Sequence, residues 1–336
     1  MWSTFFKLWK SGQLKLPMRL MRLMQPVYQA AFLAAAAKQG ILRRLAAGPV
    51  TLAQLAEDFA SDPQSVEALE AWLQVGVKTG ELQLDRQGYS LRGKLARDLA
   101  LEQNDAWVAF LEEGVSLHFN LLRELPERLR EHRPFTLADQ DGELIARSSR
   151  LLEPLVFEAI DGVVPSQGQL RLLEVGCGSG TYIHYAAQRN PELEARGIEL
   201  QLEVAEMARR NLEAWGLASR ANVETGDLRD FSPDPIYDVA TLHNNIYYFP
   251  TAERVAVLAH LKGFLKPGGR LLLTTSCRGN SIVNGLLNLW GAATVGCGPL
   301  PLPTEMQAQL HQAGFKAVTA KKLYPFETYF AFVSTA

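Results

Sequence analysis

One stretch constrains this chain more than any other: Leu172-Leu173-Glu174-Val175-Gly176-Cys177-Gly178-Ser179-Gly180-Thr181, an apolar strand running into a glycine loop and a helix start. Glycines let the backbone approach a ligand closely, and the helix N-terminus beyond them presents free N–H groups to a carboxylate or phosphate. From Gln169 onward, short apolar strands alternate with helical segments. The strands fall at 170–175, 195–200, 222–225, 237–242 and 270–275, and a helical period is seen in Val204, Met207, Ala208 and Leu212. This pattern predicts an α/β domain, a Rossmann-like doubly wound sheet with helices on both faces. Two further strands, 315–323 and 328–333, are joined too tightly for a helical crossover and predict a terminal antiparallel strand.

The 336 residues exceed what one such domain needs, and the remainder reads as mainly helical. Residues 1–27 form a basic amphipathic arm in which Phe5, Leu8 and Trp9 fall at helical spacing and Pro17 and Pro26 act as punctuation. Eight cations, from Lys7 to Arg44, precede the first acid, Glu57. Such a stretch suits a membrane surface, as a peripheral contact through residues 1–25, or a partner subunit. Residues 28–100 have a winged-helix plan. Tyr28 to Ala47 reads as an apolar helix, Thr51-Leu-Ala-Gln54 as a capping box, and Asp62-Pro63 as the start of a third helix with Val66, Leu69, Leu73 and Val77 on one face. A hairpin turning at Gly88 comes next. The third helix carries Glu67 and Glu70 and no cation between Ser65 and Gly76, and the net charge is only −2, so nucleic acid is not expected as a partner. The apolar Tyr28 to Ala37 run predicts a homodimer instead. Residues 101–162 read as a helical linker contributing to a pocket, and 163–336 as the α/β domain. No run of 18 apolar residues occurs, and the three scattered cysteines fit a reducing, cytoplasmic setting.

Alone, the glycine loop could equally hold a dinucleotide pyrophosphate, although Gly176-x-Gly178-x-Gly180 lacks the third-glycine spacing of that fingerprint. The ends of the next two strands narrow the reading. Glu199, ending the second strand, can accept both hydroxyls of a ribose, and Gly226-Asp227 closes the third strand where an adenine amino group could be met. A carboxylate, a ribose and an adenine read in sequence are the parts of S-adenosyl-L-methionine.

With these residues in place, the chain resembles a class I S-adenosylmethionine-dependent methyltransferase, and specifically the two-domain small-molecule O-methyltransferase family. The resemblance runs from Tyr28 onward and includes Tyr237-Asp238-Val239 and Leu265-Lys-Pro-Gly-Gly-Arg-Leu-Leu-Leu273. It implies that Glu199 binds the ribose, that Asp227 and Leu228 border the adenine, and that the loop through Gly176, Gly178 and Gly180 holds the methionine end. Glu174 and Asn244 complete the implied cofactor set. The implied function is methyl transfer to a small, hydrophobic or aromatic metabolite, with O-methylation favoured over C- or N-methylation. The other reading is a cofactor-binding or regulatory protein that keeps the fold without turnover.

One departure bears on mechanism. That family carries a His-Asp-Trp triplet after the fourth strand, whose histidine removes the acceptor proton. Ungapped counting places Tyr247-Tyr248-Phe249 there. A free phenol titrates near pH 10, so Tyr247 is expected to orient the acceptor, with His243 four residues earlier as the second catalytic candidate. The segment from Ser281 to Trp290, with amides Asn284 and Asn288, is expected to close the pocket as an apolar lid. No metal-ligand spacing is present.

Overall fold

The structure, a computed structural model, describes residues 10–11 and 15–336, so Phe5, Lys7, Leu8 and Trp9 lie outside the described residues. It divides into two compact units, meeting in sequence between Phe119 and Asn120.

In the first unit, helix α1 spans Lys15–Lys38, α2 Ile41–Ala46, α3 Leu52–Phe59 and α4 Pro63–Lys78. The expected single helix from Tyr28 to Ala47 is thus two helices, the first starting well before Tyr28. The chain breaks at Gln39-Gly40, where Gly40 takes the left-handed φ of 74°. Neither proline punctuates as expected. Pro17 falls in the first turn, where its missing N–H needs no partner, and α1 continues through Pro26 with one backbone bond forgone. The Thr51 hydroxyl accepts from the Gln54 N–H while the Gln54 side chain accepts from the Thr51 N–H, and the Asp62 carboxylate caps α4 at Gln64 and Ser65. Strands β1 (Leu82–Asp85) and β2 (Gly88–Leu91) pair antiparallel across Arg86-Gln87, with α5 (Lys94–Leu99) and α6 (Asp105–Glu113) after them. Phe32, Leu42, Leu55, Leu73, Leu82 and Tyr89 are buried together as its core. Phe32, Leu33, Ala34 and Ala36 are therefore covered within the unit, and the apolar surface expected at Tyr28 to Ala37 is exposed instead on the turns before it.

The second unit holds α7 (Phe119–Arg130), α8 (Gly142–Ser149) and α9 (Glu153–Asp161), then a seven-stranded sheet. Its elements are β3 (Leu170–Val175), α10 (Thr181–Arg189), β4 (Leu193–Glu199), α11 (Leu202–Ala214), β5 (Ala221–Thr225), β6 (Tyr237–His243), α12 (Arg254–Lys262), β7 (Leu265–Ser276), α13 (Ile282–Ala293), α14 (Pro303–Gln312), β8 (Lys316–Lys322) and β9 (Tyr329–Thr335). The order is β5-β4-β3-β6-β7-β9-β8. Five strands run parallel, and β9 pairs antiparallel with both neighbours, as the short β8–β9 connection requires. Alternation along β3 sends Leu172 into one buried layer with Ile183, Ala205 and Val239, and Leu173 and Val175 into the other with Leu242, Leu258 and Leu261. The chain moves outward from β3 to β5 and returns beside β3 as β6. That reversal opens a crevice at the carboxyl ends of β3 and β6. Among the described residues no helix is long and apolar enough to cross a membrane.

Gly76 tests the packing of the first unit. A Cβ there would lie 2.2 Å from the Phe32 ring and 2.9 Å from Leu82, and Phe32 is itself tilted against Trp72 at 4.6 Å. Gly76→Ala is expected to destabilise by about 1–3 kcal/mol through overpacking, despite the better helix propensity of alanine. Denaturant unfolding monitored by circular dichroism checks this, and an unchanged or raised midpoint would contradict it.

Candidate functional site

The glycine loop leaves β3 into that crevice. Gly176 has a φ of 67°, and a Cβ on it would fall 1.8 Å from the Asn245 amide nitrogen. Asn245 occupies this space because its Nδ2 donates to the Val175 carbonyl at 3.1 Å. At Gly178 a Cβ would meet nothing within 4 Å, so its left-handed φ of 54° is what requires glycine. Gly180 begins α10 and backs onto Leu212 and Ala208, away from the crevice.

A cavity of about 280 Å³ lies over these strand ends. Gly176, Gly178, Glu199, Asp227, Leu228 and Asn244 border it, as do His243 and Tyr247. Two residues of the expected cofactor set, Glu174 and Gly180, do not. Glu199 is held by the Gly178 and Gln201 N–H groups, which donate to its carboxylate at 3.0 and 3.1 Å. Burial raises its pKa while those bonds oppose the shift. Asp227 is already engaged. The Arg229 guanidinium grips both its oxygens, at 2.9 and 2.6 Å, holds its pKa down, and reaches Glu253 with its remaining nitrogen. An adenine amino group there would share a carboxylate that is already neutralised.

Glu174 lies fully buried behind the loop, with no cation beside its carboxylate among the described residues and only the Ile183 N–H opposing the effect of burial. Burial, and then the nearby Glu199, push its pKa well up, so its carboxyl is held toward the neutral form. Two buried acids without a cation within reach beside the glycine loop fit a group that carries an ammonium, such as the methionine end of S-adenosylmethionine.

His243, ending β6, is buried, and desolvation takes its pKa down to about 3. Its Nδ1 is 2.9 Å from the Thr274 hydroxyl, which accepts at 3.1 Å from the Tyr329 phenol. Nδ1 is thus engaged with Thr274, while the buried Nε2 has no hydrogen-bond partner among the described residues. Burial holds the ring neutral and makes it a weak proton acceptor, which argues against a general-base role for it. His118 and His184 are occupied elsewhere, by Glu113 at 3.2 Å and by stacking on Trp215.

The opposite wall differs from the expected lid. Asn284 donates to the Thr328 hydroxyl and the Cys277 carbonyl, Asn288 accepts from the Leu300 N–H, and no residue from Ser281 to Trp290 borders the cavity. The wall comes instead from residues 137–153, including Ile145, Ala146, Ser149 and Glu153. Glu153 and Tyr182 are site residues that sequence reasoning misses. Glu153 opens α9 with its side chain only 17% exposed; burial raises its pKa against the opposing pull of Arg150, 3.5 Å away. Tyr182, in the first turn of α10, sets its ring 4.8 Å from His243. The Glu153-Pro154 pair, a helix start in an apolar surround, is the available signal for the first. Nothing local marks the second.

A sequence profile described as a methyltransferase domain matches residues 173–271. Aclacinomycin 10-hydroxylase RdmB of Streptomyces purpurascens is 31% identical over 262 residues, covering 71% of this chain and 67% of that protein. Demethylspheroidene O-methyltransferase of Cereibacter sphaeroides is 29% identical over 248 residues, 66% of this chain and 64% of that one. Among solved structures, the mitomycin 7-O-methyltransferase MmcR superposes with a TM-score of 0.77 at 19% identity, over 97% of this chain and 100% of its own, a likeness of fold.

Glu174, as the expected counter-charge for the cofactor's ammonium, would make cofactor binding pH-linked. Its raised folded pKa means that its contribution to ligand-free stability is present at low pH and is lost as pH rises through that value. A bound ammonium would favour the carboxylate, so at a pH between the ordinary carboxylate range and that raised value S-adenosylmethionine binding should release a proton. Titration calorimetry in two buffers of different ionisation enthalpy should show that release, and Glu174→Gln should abolish it. Buffer-independent heats in the wild type would contradict the assignment.

Proposed function

Because the chain belongs to the small-molecule O-methyltransferase family of S-adenosylmethionine-dependent enzymes, we propose that it methylates an oxygen of a small hydrophobic or aromatic metabolite. One observation carries this reading. The loop-and-acid wall of Gly176, Gly178, Glu199 and Asp227 and the aromatic wall of Tyr182, Tyr247 and Tyr248 border one cavity. When bound, S-adenosylmethionine supplies a methyl group on a sulfonium, a leaving group good enough that much of the rate comes from alignment.

The residues of this chain divide the remaining work. Tyr182, Tyr247 and Phe249 offer ring faces and edges that suit a flat acceptor. In the tautomer that carries its proton on Nε2, His243 can donate to an acceptor oxygen and so stabilise it as it loses its proton. Glu153 is the proton acceptor we assign in place of the family's histidine: burial holds its carboxyl above the ordinary range, which makes its ionised form a stronger base. Residues 137–153 then select the acceptor, and the glycine-loop side binds the donor. Two relatives are named for small-molecule substrates, aclacinomycin and demethylspheroidene, which supports a small-molecule acceptor here.

The test is transfer of labelled methyl from S-adenosylmethionine into a metabolite extract, with the labelled product identified by mass. A product heavier by one CH₂, formed together with S-adenosylhomocysteine, supports the proposal. With the acceptor in hand, Glu153→Gln should lower kcat/KM by about 10²–10⁴ and remove the fall in rate on the acid side, where Glu153 becomes protonated. Tyr247→Phe should cost only about tenfold to a hundredfold, as expected for an orienting group. An unaltered pH profile in Glu153→Gln would show that the acceptor ionises unaided.

A further inference from the structure

Helix α1 has two unlike halves. Toward its end Phe32, Leu33, Ala34 and Ala36 are buried in the first unit, whereas Leu16, Met18, Leu20, Met21 and Leu23 are between 48% and 74% exposed. Singly exposed apolar residues need no explanation, but five within eight positions of one helix do. A helix turns about 100° per residue, so Lys15, Arg19 and Arg22 form one narrow stripe, with Leu16, Leu20 and Leu23 on one flank and Met18 and Met21 on the other. All three cations are exposed, and no acidic residue occurs before Glu57.

We propose that the first half of α1 is a docking face for an anionic lipid surface, with its leucine and methionine flanks among the acyl chains and Lys15, Arg19 and Arg22 at the phosphates. Long basic side chains can bury their stems and keep their charges at the headgroups, which lets a cationic stripe share a helix with a wide apolar face. The competing occupant is a second copy of this chain. A second copy meeting this face through its own would bring no negative charge from the first 56 residues to Lys15, Arg19 and Arg22. Lipid phosphate supplies the charge that the segment lacks. The inference is independent of the methyl acceptor and of the chemistry proposed for the cavity.

Flotation of the full-length protein with vesicles tests it. The expected result is binding to vesicles of phosphatidylcholine with phosphatidylglycerol, little binding to phosphatidylcholine alone, and weakening as salt rises. Arg19→Glu with Arg22→Glu should lower partition into the anionic vesicles by at least about tenfold. Leu20→Ser with Met21→Ser should lower it as well, which a purely electrostatic contact would not show. Both pairs are solvent-exposed, and unchanged S-adenosylmethionine binding by calorimetry verifies that the variants are folded. Absence of flotation at low salt, equal flotation with neutral vesicles, or charge-reversed protein that floats like wild type would overturn the proposal. So would a light-scattering dimer that Leu20→Ser with Met21→Ser dissociates without any change in lipid binding, since a second copy would then cover the face.

Discussion

The site depends on the seam between β3 and β4. Val175 pairs with Ile198 at the end of the parallel ladder, and the pairing then continues into the loop. The Gly176 and Cys177 N–H groups donate to the Ile198 carbonyl at 2.7 and 3.2 Å, and the Gly178 N–H donates to the Glu199 carboxylate at 3.0 Å. The loop is therefore a bent extension of the sheet. On its other side Asn245, arriving from β6, fills the space where a side chain at position 176 would stand. Gripped from both neighbours at the point where strand order reverses, the loop can keep its backbone N–H groups oriented without a ligand. Such pre-organisation is what lets a small-molecule site bind without ordering itself first.

Burial then sets the charge of the crevice. Glu174 and Glu199 are pushed up and His243 is pushed down, each principally by desolvation. All three shifts favour the neutral form, so the floor of the site carries less charge than its composition suggests. Asp227 behaves otherwise, because the Arg229 fork keeps it ionised and neutralised at the rim. A cation approaching from solvent thus meets a paired rim and a floor whose acids can ionise in response. This division suits a ligand that is cationic at one end and aromatic at the other, and it arises from which acids have a guanidinium within reach.

The parts of the fold and site that can be read from sequence are those where backbone geometry demands a residue type. Glycine at positive φ, acids at strand ends, the capping residues Thr51 and Asp62, and the period of β3 all carry their reasons locally. The break at Gly40 is hidden because an Ala-rich helix with a single glycine looks continuous when only periodicity is considered. The lid differs for another reason. Asn284 and Asn288 are polar residues in an apolar helix, which resembles a pocket lining, yet their partners are the Thr328 hydroxyl, the Cys277 carbonyl and the Leu300 N–H. Whether an amide faces a ligand or a backbone group is decided by packing between segments distant in sequence. Tyr182 is invisible for the same reason, and Glu153-Pro154 marks a helix start without showing what the carboxylate faces.

The absent histidine becomes intelligible from the same packing. At the position where the resembling family places its base, this chain has Tyr247, 7% exposed and tilted 37° against Tyr248 with ring centroids 5.0 Å apart. The pair gives the cavity aromatic surface where the family has a proton acceptor. His243 is a poor replacement, since it is buried against Thr274 and desolvation takes its pKa down to about 3. A carboxylate from α9 is what remains on the acceptor side, and it reaches the cavity on the same stretch, residues 137–153, that shapes the wall. On the proposed assignment, proton removal and acceptor selection are tied to one segment, outside the sheet. Changes in that segment can alter which molecule is methylated and how it is deprotonated while leaving the β3–β4 seam, and with it donor binding, untouched.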